Sequence, residues 1–158
     1  MPRHGVTLVD MIITVLILGI LSAVAAPRFA DVTAQLRSEA VARRIAADLN
    51  YVRRIAMQKS SETSVTFTLS PPGYATTGVM HPDRPAEAYQ AALANIDVNA
   101  ALASVNLNAG ATVYYNAYGR PLTGPSRTPL TTGSIIVSFG NRQFTVTINP
   151  STGEATTP

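Results

Sequence analysis

The organisation of this chain follows from one apolar stretch near its N-terminus, residues 5–29, which read GVTLVDMIITVLILGILSAVAAPRF. Residues 11–27 carry no charge, and with the preceding Val6 to Val9 they give about 20 residues, which is the length a helix needs to cross a bilayer. Basic residues favour the cytoplasmic side, so Arg3 predicts a cytoplasmic N-terminus and an exported chain after Arg28. The stretch therefore predicts a membrane anchor followed by one exported domain.

Length and composition agree with an anchor plus a single domain. The 158 residues are 46% hydrophobic and 13% charged, which excludes a multi-domain protein and a wholly disordered polymer. Cysteine is absent, and this excludes disulfide frameworks, thiolate zinc sites and thiol nucleophiles. The formal charge of +3 is concentrated between Arg37 and Lys59, while the sequence from Ser60 onward is slightly acidic. Binding to a polyanion would therefore depend on one helix.

Two other interpretations of the apolar stretch compete with a membrane anchor in which Asp10 has a function. The first is a secretory signal with Ala23-Val24-Ala25 as its small-residue cleavage site. The second is a plain single-span anchor in which Asp10 stays near the cytoplasmic headgroups. A carboxylate within hydrocarbon costs roughly 2.5–3.5 kcal/mol on insertion scales, and a disposable signal has no need of one. Asp10 therefore predicts a functional acid that has a partner.

Residues 3–29 resemble the processing site and hydrophobic helix of type IV prepilins and type II secretion pseudopilins. The resemblance rests on Gly5-Val6-Thr7-Leu8-Val9-Asp10, then the apolar run to Ala26, then Pro27-Arg28-Phe29. It implies a leader of residues 1–5, cleavage after Gly5 by a prepilin peptidase, and N-methylation of Val6. The family most often has Phe where this chain has Val6 and Glu where it has Asp10, so the chain departs from the pattern at two positions.

The resemblance also implies how the helix assembles. In the family the acid neutralises the α-amine of a neighbouring subunit, and two opposite charges buried together avoid the cost of an isolated one. We expect Asp10 to take this role, with Thr7 in the same assembly segment. Gly19 and Pro27 fall where pilin helices have a glycine and a proline, and we hypothesise that the segment between them loosens on assembly. Both residues are also simply common in membrane helices.

The remainder of the chain predicts an α+β domain. Apolar residues recur every three or four positions on one face of a predicted helix, at Val41, Ile45, Leu49, Val52 and Ala56. Alternating residues then predict antiparallel strands at about 65–69, 74–79, 112–116, 135–139 and 144–148. Gly140-Asn141 predicts a tight hairpin with a type II′ turn, residues 85–96 a short helix, and residues 120–133 a loop.

The predicted fold is therefore pilin-like, with a long N-terminal helix packed on an antiparallel β-sheet. Its parts are the leader 1–5, a transmembrane and filament-core helix 6–29, an amphipathic helix 30–60, and the sheet 61–158. Within the family, the chain is most similar to the minor pseudopilin H and FimT-like group. The phrases that suggest this are residues 47–56, 73–74, 118–121 and 152–153.

Catalytic chemistry finds little support in the sequence. His4 belongs to the leader, and His81 stands in a loop segment with Asp83 nearby, a setting typical of a turn or surface residue. No zinc-protease, nucleophile-elbow or phosphate-loop motif is present. We therefore predict no catalytic residue, no metal site and no cofactor, and a protein that is not an enzyme.

The expected function is that of a minor pilin or pseudopilin, a structural subunit of a type IV pilus or type II secretion pseudopilus. Its expected partners are other pilin subunits, the prepilin peptidase/methyltransferase and inner-membrane lipid. The expected location is a single pass through the inner membrane with the domain in the periplasm, and later the filament. One alternative is a DNA-binding minor pilin of natural transformation that uses Arg43, Arg53 and Arg54, as some members of the FimT-like group bind DNA. Another is an anchored or secreted periplasmic binding module.

Overall fold

The computed structural model describes residues 7–108 and 110–158. The predicted cleavage and methylation positions, Gly5 and Val6, lie outside the described residues. The chain forms two compact units, which divide between Ala34 and Gln35. One long helix, α1 (Leu8–Lys59), supplies residues to both units.

The described part of the first unit is the apolar segment of α1. Leu8–Ala25 has a mean hydropathy of 2.5, and none of it is buried within the protein. By length and composition this segment can cross a membrane, although a signal sequence would have the same two properties. α1 continues without interruption through positions 19 and 27, so the proposed loosening between them stays a prediction.

The second unit contains two antiparallel sheets. The first has six strands in the order β3-β2-β1-β5-β6-β7, and the second has four in the order β10-β9-β8-β4. The strands are β1 (Thr63–Thr68), β2 (Gly73–His81), β3 (Arg84–Ala92), β4 (Ala100–Leu107), β5 (Thr112–Tyr115), β6 (Pro121–Thr123), β7 (Thr128–Pro129), β8 (Gly133–Phe139), β9 (Arg142–Ile148) and β10 (Ala155–Thr156). A single-turn helix, α2 (Leu93–Ile96), joins β3 to β4.

The core forms between α1 and the two sheets. Every residue of the predicted apolar face of α1 is at most 2% exposed. The strands present alternate apolar side chains, which are also buried, among them Val65, Val113, Ile135 and Val146. The predicted α+β architecture is therefore confirmed.

Two sequence predictions were wrong in detail. The helix predicted over residues 85–96 is mostly strand β3, and only its last four residues form α2. Pairing with β2 bonds one side of the β3 backbone, and Tyr89 of β3 is buried to 4% exposure. This tertiary gain overrides the helix propensity of an alanine-rich segment. The loop predicted over residues 120–133 contains the short strands β6 and β7.

The predicted hairpin between β8 and β9 is confirmed. Phe139 pairs with Arg142 across a loop of two residues. Gly140 has a φ of +56° and Asn141 is not among the residues with positive φ, which is the pattern of a type II′ turn.

The C-terminal strand is held directly by α1. Asn50 donates from Nδ2 to the carbonyl oxygen of Ala155 (2.8 Å) and accepts at Oδ1 from the Ala155 N–H (3.0 Å). Just before this strand, Gly153 has a φ of +75°, and a Cβ at this position would lie 2.3 Å from the carbonyl oxygen of Gly119. The close approach of these two glycine segments therefore depends on the missing side chain.

Replacing Gly153 with alanine tests this close approach. Gly124 provides a matched control because its φ is +70° and a Cβ there would meet nothing within 4 Å. We expect Gly124→Ala to cost about 1–2 kcal/mol for its backbone conformation alone. Gly153→Ala should cost roughly 1–3 kcal/mol more because the new methyl group also displaces backbone. Urea unfolding of the full chain in detergent measures both, and equal losses would contradict the packing described here.

Candidate functional site

The N-terminus of α1 is closed by a reciprocal pair, Thr7 and Asp10. The Asp10 N–H donates to Thr7 Oγ1 (3.2 Å), while Asp10 Oδ2 accepts from the Thr7 N–H (3.0 Å) and from Thr7 Oγ1 (2.8 Å). This is a capping box, in which two otherwise unsatisfied helix donors are bonded by side chains. The Thr-x-x-Asp spacing was visible in the sequence, but it was not used to predict a cap.

The capping box gives Asp10 a role within its own chain. Only one of its carboxylate oxygens is used, and Oδ1 has no hydrogen-bond partner in the described part of the chain. The carboxylate is therefore fixed in direction by Thr7 and keeps one oxygen for a second donor. Gly19 stands further along the same helix, and a Cβ there would meet nothing within 4 Å.

A buried polar cluster connects α1 to the first sheet. The Tyr74 hydroxyl donates to Asp48 Oδ2, and Arg44 Nε donates to the same oxygen at 3.2 Å. Arg44 Nη2 also donates to the Tyr89 hydroxyl at 3.2 Å. Asp48 is only 8% exposed, so these bonds satisfy a charge that would otherwise be costly to bury. Sequence analysis did not identify this cluster because Tyr74 and Tyr89 are distant along the chain from Arg44 and Asp48.

The phenols of the core titrate at higher pH than free tyrosine. Burial raises the pKa of Tyr74 well above its ordinary value, and the neighbouring Asp48 carboxylate raises it further. Burial also raises the pKa of Tyr89 and of Tyr115. The pKa of Arg44 is raised as well, mainly by its bond to Tyr89 and by the charge of Asp48. Tyr74, Tyr89 and Arg44 are thereby held protonated, as their hydrogen bonds require, whereas the buried Tyr115 hydroxyl has no hydrogen-bond partner among the described residues.

A cavity of about 330 Å³ lies beside the polar cluster, between α1 and the end of the β2–β3 hairpin. We call it the Tyr51 cavity, and its chemically distinctive lining residues are Arg44, Tyr51, Arg54, His81, Asp83 and Tyr89. The ring of Tyr89 meets that of Tyr51 edge-on at 5.9 Å and that of His81 at 5.6 Å, so the cavity has an aromatic wall. His81 Nδ1 accepts the N–H of Asp83 (3.1 Å), which makes it a turn-stabilising residue.

The three arginines predicted as nucleic-acid contacts have different surroundings. Arg43 is paired with Glu39 at 2.5 Å, one helical turn away. Arg53 Nε donates to the carbonyl oxygen of Gly119 at 3.3 Å. Arg54 is exposed at the Tyr51 cavity and has no ion-pair partner in residues 7–108 and 110–158. The structure therefore does not bring the three together as one free cationic surface.

Two solved structures resemble this chain over most of its length, and both are of the type IV minor pilin FimU of Pseudomonas aeruginosa strain PAO1, in different crystal forms. The first has a TM-score of 0.57 at 14% identity and covers 78% of this chain and 90% of the FimU chain. The second has a TM-score of 0.53 at 14% identity and covers 76% and 91%. No family model and no curated protein matches the chain. At this identity the likeness shows the pilin fold and does not distinguish a subgroup.

The raised phenol pKa values predict how stability depends on pH. Because the folded chain holds these protons to higher pH than the unfolded chain, the stabilisation is complete below about pH 10 and is lost as the pH rises further. We expect urea unfolding of the full chain to show this decline as the pH rises above about 10, the ordinary pKa of tyrosine. Tyr74→Phe and Tyr115→Phe should each flatten it. Tyr118→Phe, which changes a residue that is 83% exposed, is the control, and equal slopes in all three variants would refute the assignment.

Proposed function

We propose that this chain is a pilin subunit, a structural protein that joins sister subunits in a type IV pilus or type II secretion pseudopilus. The observation that carries the proposal is a pilin fold combined with an apolar helical segment, Leu8–Ala25, that is not buried among the described residues. An 18-residue segment of this kind must be covered by lipid or by other helices. Membrane lipid covers the segment before assembly, and the helices of sister subunits cover it in the filament.

The proposal includes processing and location. A prepilin peptidase removes residues 1–5 after Gly5 and methylates Val6, which leaves Val6 as the first residue of the mature chain. Before assembly the chain crosses the inner membrane once, with its N-terminus in the cytoplasm and its domain in the periplasm. Its partners are the peptidase, lipid and sister subunits, and it needs no cofactor and catalyses no reaction.

Asp10 supports this proposal through its free oxygen. The α-amine of a neighbouring subunit can donate to Oδ1 while Oδ2 remains bonded to Thr7. The pairing removes two isolated charges from an apolar surrounding, which is where their cost would be greatest. The aspartate is shorter than the glutamate usual in the family, but the capping box fixes its direction.

The charges of the domain do not favour DNA binding as a second function. Of the arginines considered for that role, one is neutralised by Glu39 and another is bonded to a backbone carbonyl. Phosphate contacts require several unengaged cations along one surface. A secreted or anchored binding module remains the competing class, and the mature N-terminus distinguishes it from a pilin.

Mass spectrometry of the mature N-terminus tests the proposed processing. In a host with a prepilin peptidase we expect the purified chain to begin at N-methylated Val6, and Gly5→Leu, which replaces the residue before the cut, should leave the leader attached. A chain that begins at Ala26 would indicate a secretory signal. A chain that begins at Met1 or Pro2 would indicate a plain anchor, and either result would contradict the proposal.

Variants of Asp10 separate its charge from its capping role. Asp10→Asn keeps an oxygen that can accept from Thr7 but removes the negative charge, whereas Asp10→Glu keeps both. We expect Asp10→Asn, and also Asp10→Ala, to be cleaved normally but to be absent from sheared filaments, whereas Asp10→Glu should be incorporated. Quantitative immunoblotting of filament and membrane fractions measures this. Normal incorporation of Asp10→Asn would show that assembly needs only the capping role of this residue, and it would contradict the proposed pairing of its charge with an α-amine.

A further inference from the structure

Two acidic side chains of the exported domain are left without an ion pair. In residues 35–108 and 110–158, five of the seven carboxylates are paired with arginine. Asp83 and Glu154 are the two that are not. Asp83 lines the Tyr51 cavity together with Arg54, which is also unpaired within these ranges. Each of the two acids therefore marks a place where charge is available to a partner.

Glu154 is close to a second unpaired cation. It follows Gly153, whose backbone lies against that of Gly119, and Arg120 is the next residue. Arg120 is exposed and has no ion-pair partner among the described residues. The Glu154 region and the Tyr51 cavity thus each present one free acid and one free arginine.

These two regions lie on different flanks of α1. Arg44, Asp48 and Tyr51, spaced by four and three residues, face the β2–β3 side. Asn50 and Arg53, spaced by three residues, face the C-terminal side, where they bind Ala155 and Gly119. One helix therefore separates the cavity from the region that carries Glu154.

Residues 116–120, which we call the Tyr118 turn, form a hydrogen-bonded turn whose Gly119 lies against Gly153, the residue before Glu154. Asn116 Oδ1 accepts the N–H groups of Tyr118 (3.0 Å) and Arg120 (2.9 Å), and the Gly119 N–H donates to the Asn116 carbonyl at 2.8 Å. Arg53 Nε on α1 donates to the Gly119 carbonyl oxygen. Tyr118 is nevertheless 83% exposed, so an aromatic side chain is presented to solvent on an ordered backbone.

We propose that the Tyr118 turn of one copy of this chain docks into the Tyr51 cavity of a second copy. The Tyr118 ring enters the cavity against Tyr51 and His81, as buried tyrosines commonly anchor protein interfaces. Glu154 then pairs with Arg54 of the second copy, and Arg120 pairs with its Asp83. The inference rests on the proposed function, because sister subunits must lie side by side for the contact to form.

A second copy fits the cavity better than a polyanion does. The lining contains Asp48 and Asp83 as well as Arg44 and Arg54, so a phosphate backbone would meet repulsion as well as attraction. A surface with one acid, one base and one aromatic ring matches this mixed pattern. Because the two surfaces differ, the contact is heterologous, and a contact of this type can repeat from copy to copy, as a filament requires.

Cross-linking between single-cysteine copies tests the contact, and the chain contains no cysteine that would interfere. Two differently tagged full-length copies, one with Arg54→Cys and one with Glu154→Cys, are expressed together and treated with a short bismaleimide in the membrane. We expect a mixed 54–154 product well above that of a control pair in which Arg142→Cys, at the exposed first residue of β9, replaces Glu154→Cys. Products between two Arg54→Cys copies or two Glu154→Cys copies should stay at the control level.

Changes at Tyr118 in the Glu154→Cys copy provide the second measurement. Tyr118→Phe keeps the ring and should keep the product, while Tyr118→Ala should reduce it to the control level. A 54–154 product that is absent, equal to the control or insensitive to Tyr118→Ala overturns the proposal, as does a cross-link made only to a different pilin subunit. Sheared filaments report the proposed function separately, because a chain that enters filaments without this product refutes the contact alone.

Discussion

Burial of one face of α1 holds the domain of residues 35–158 together. The chain has no cysteine, so the domain is not cross-linked and depends on packing. The face from Val41 to Ala56 is almost completely excluded from solvent, and both sheets contribute side chains to the same core. Polar groups at the two flanks of this face then set the position of each sheet. Asp48 binds Tyr74 on one side, and Asn50 binds Ala155 on the other.

The periodic elements of the fold could be predicted from the sequence, because each depends on neighbours along the chain. The apolar face of α1 and the β8–β9 hairpin are confirmed for this reason. Residues 85–92 could not be assigned in the same way. Their alanines favour a helix locally, and only the approach of β2 makes the strand more stable.

The polar sites also divide into those formed by neighbours along the chain and those formed by residues that are distant in sequence. The Thr7–Asp10 cap is local and could have been read from its spacing, whereas the Asp48 cluster joins residues from α1, β2 and β3. Arg53 was one of the arginines considered as nucleic-acid contacts. In the structure Arg53 binds the Gly119 carbonyl and Asn50 binds Ala155, so both side chains are committed to the fold. A residue type alone did not reveal which polar groups are free and which are engaged.

The bond between Asn50 and Ala155 also sets the order in which the domain can be completed. The two residues are separated by 105 positions, so α1 emerges from the ribosome long before the strand that it binds. Until β10 forms, Thr147 and Ile148 at the end of β9 have no strand partner on this side. β10 covers only these two residues, so the rest of β9 stays an open edge in the described domain, and an open edge can pair with the backbone of another chain.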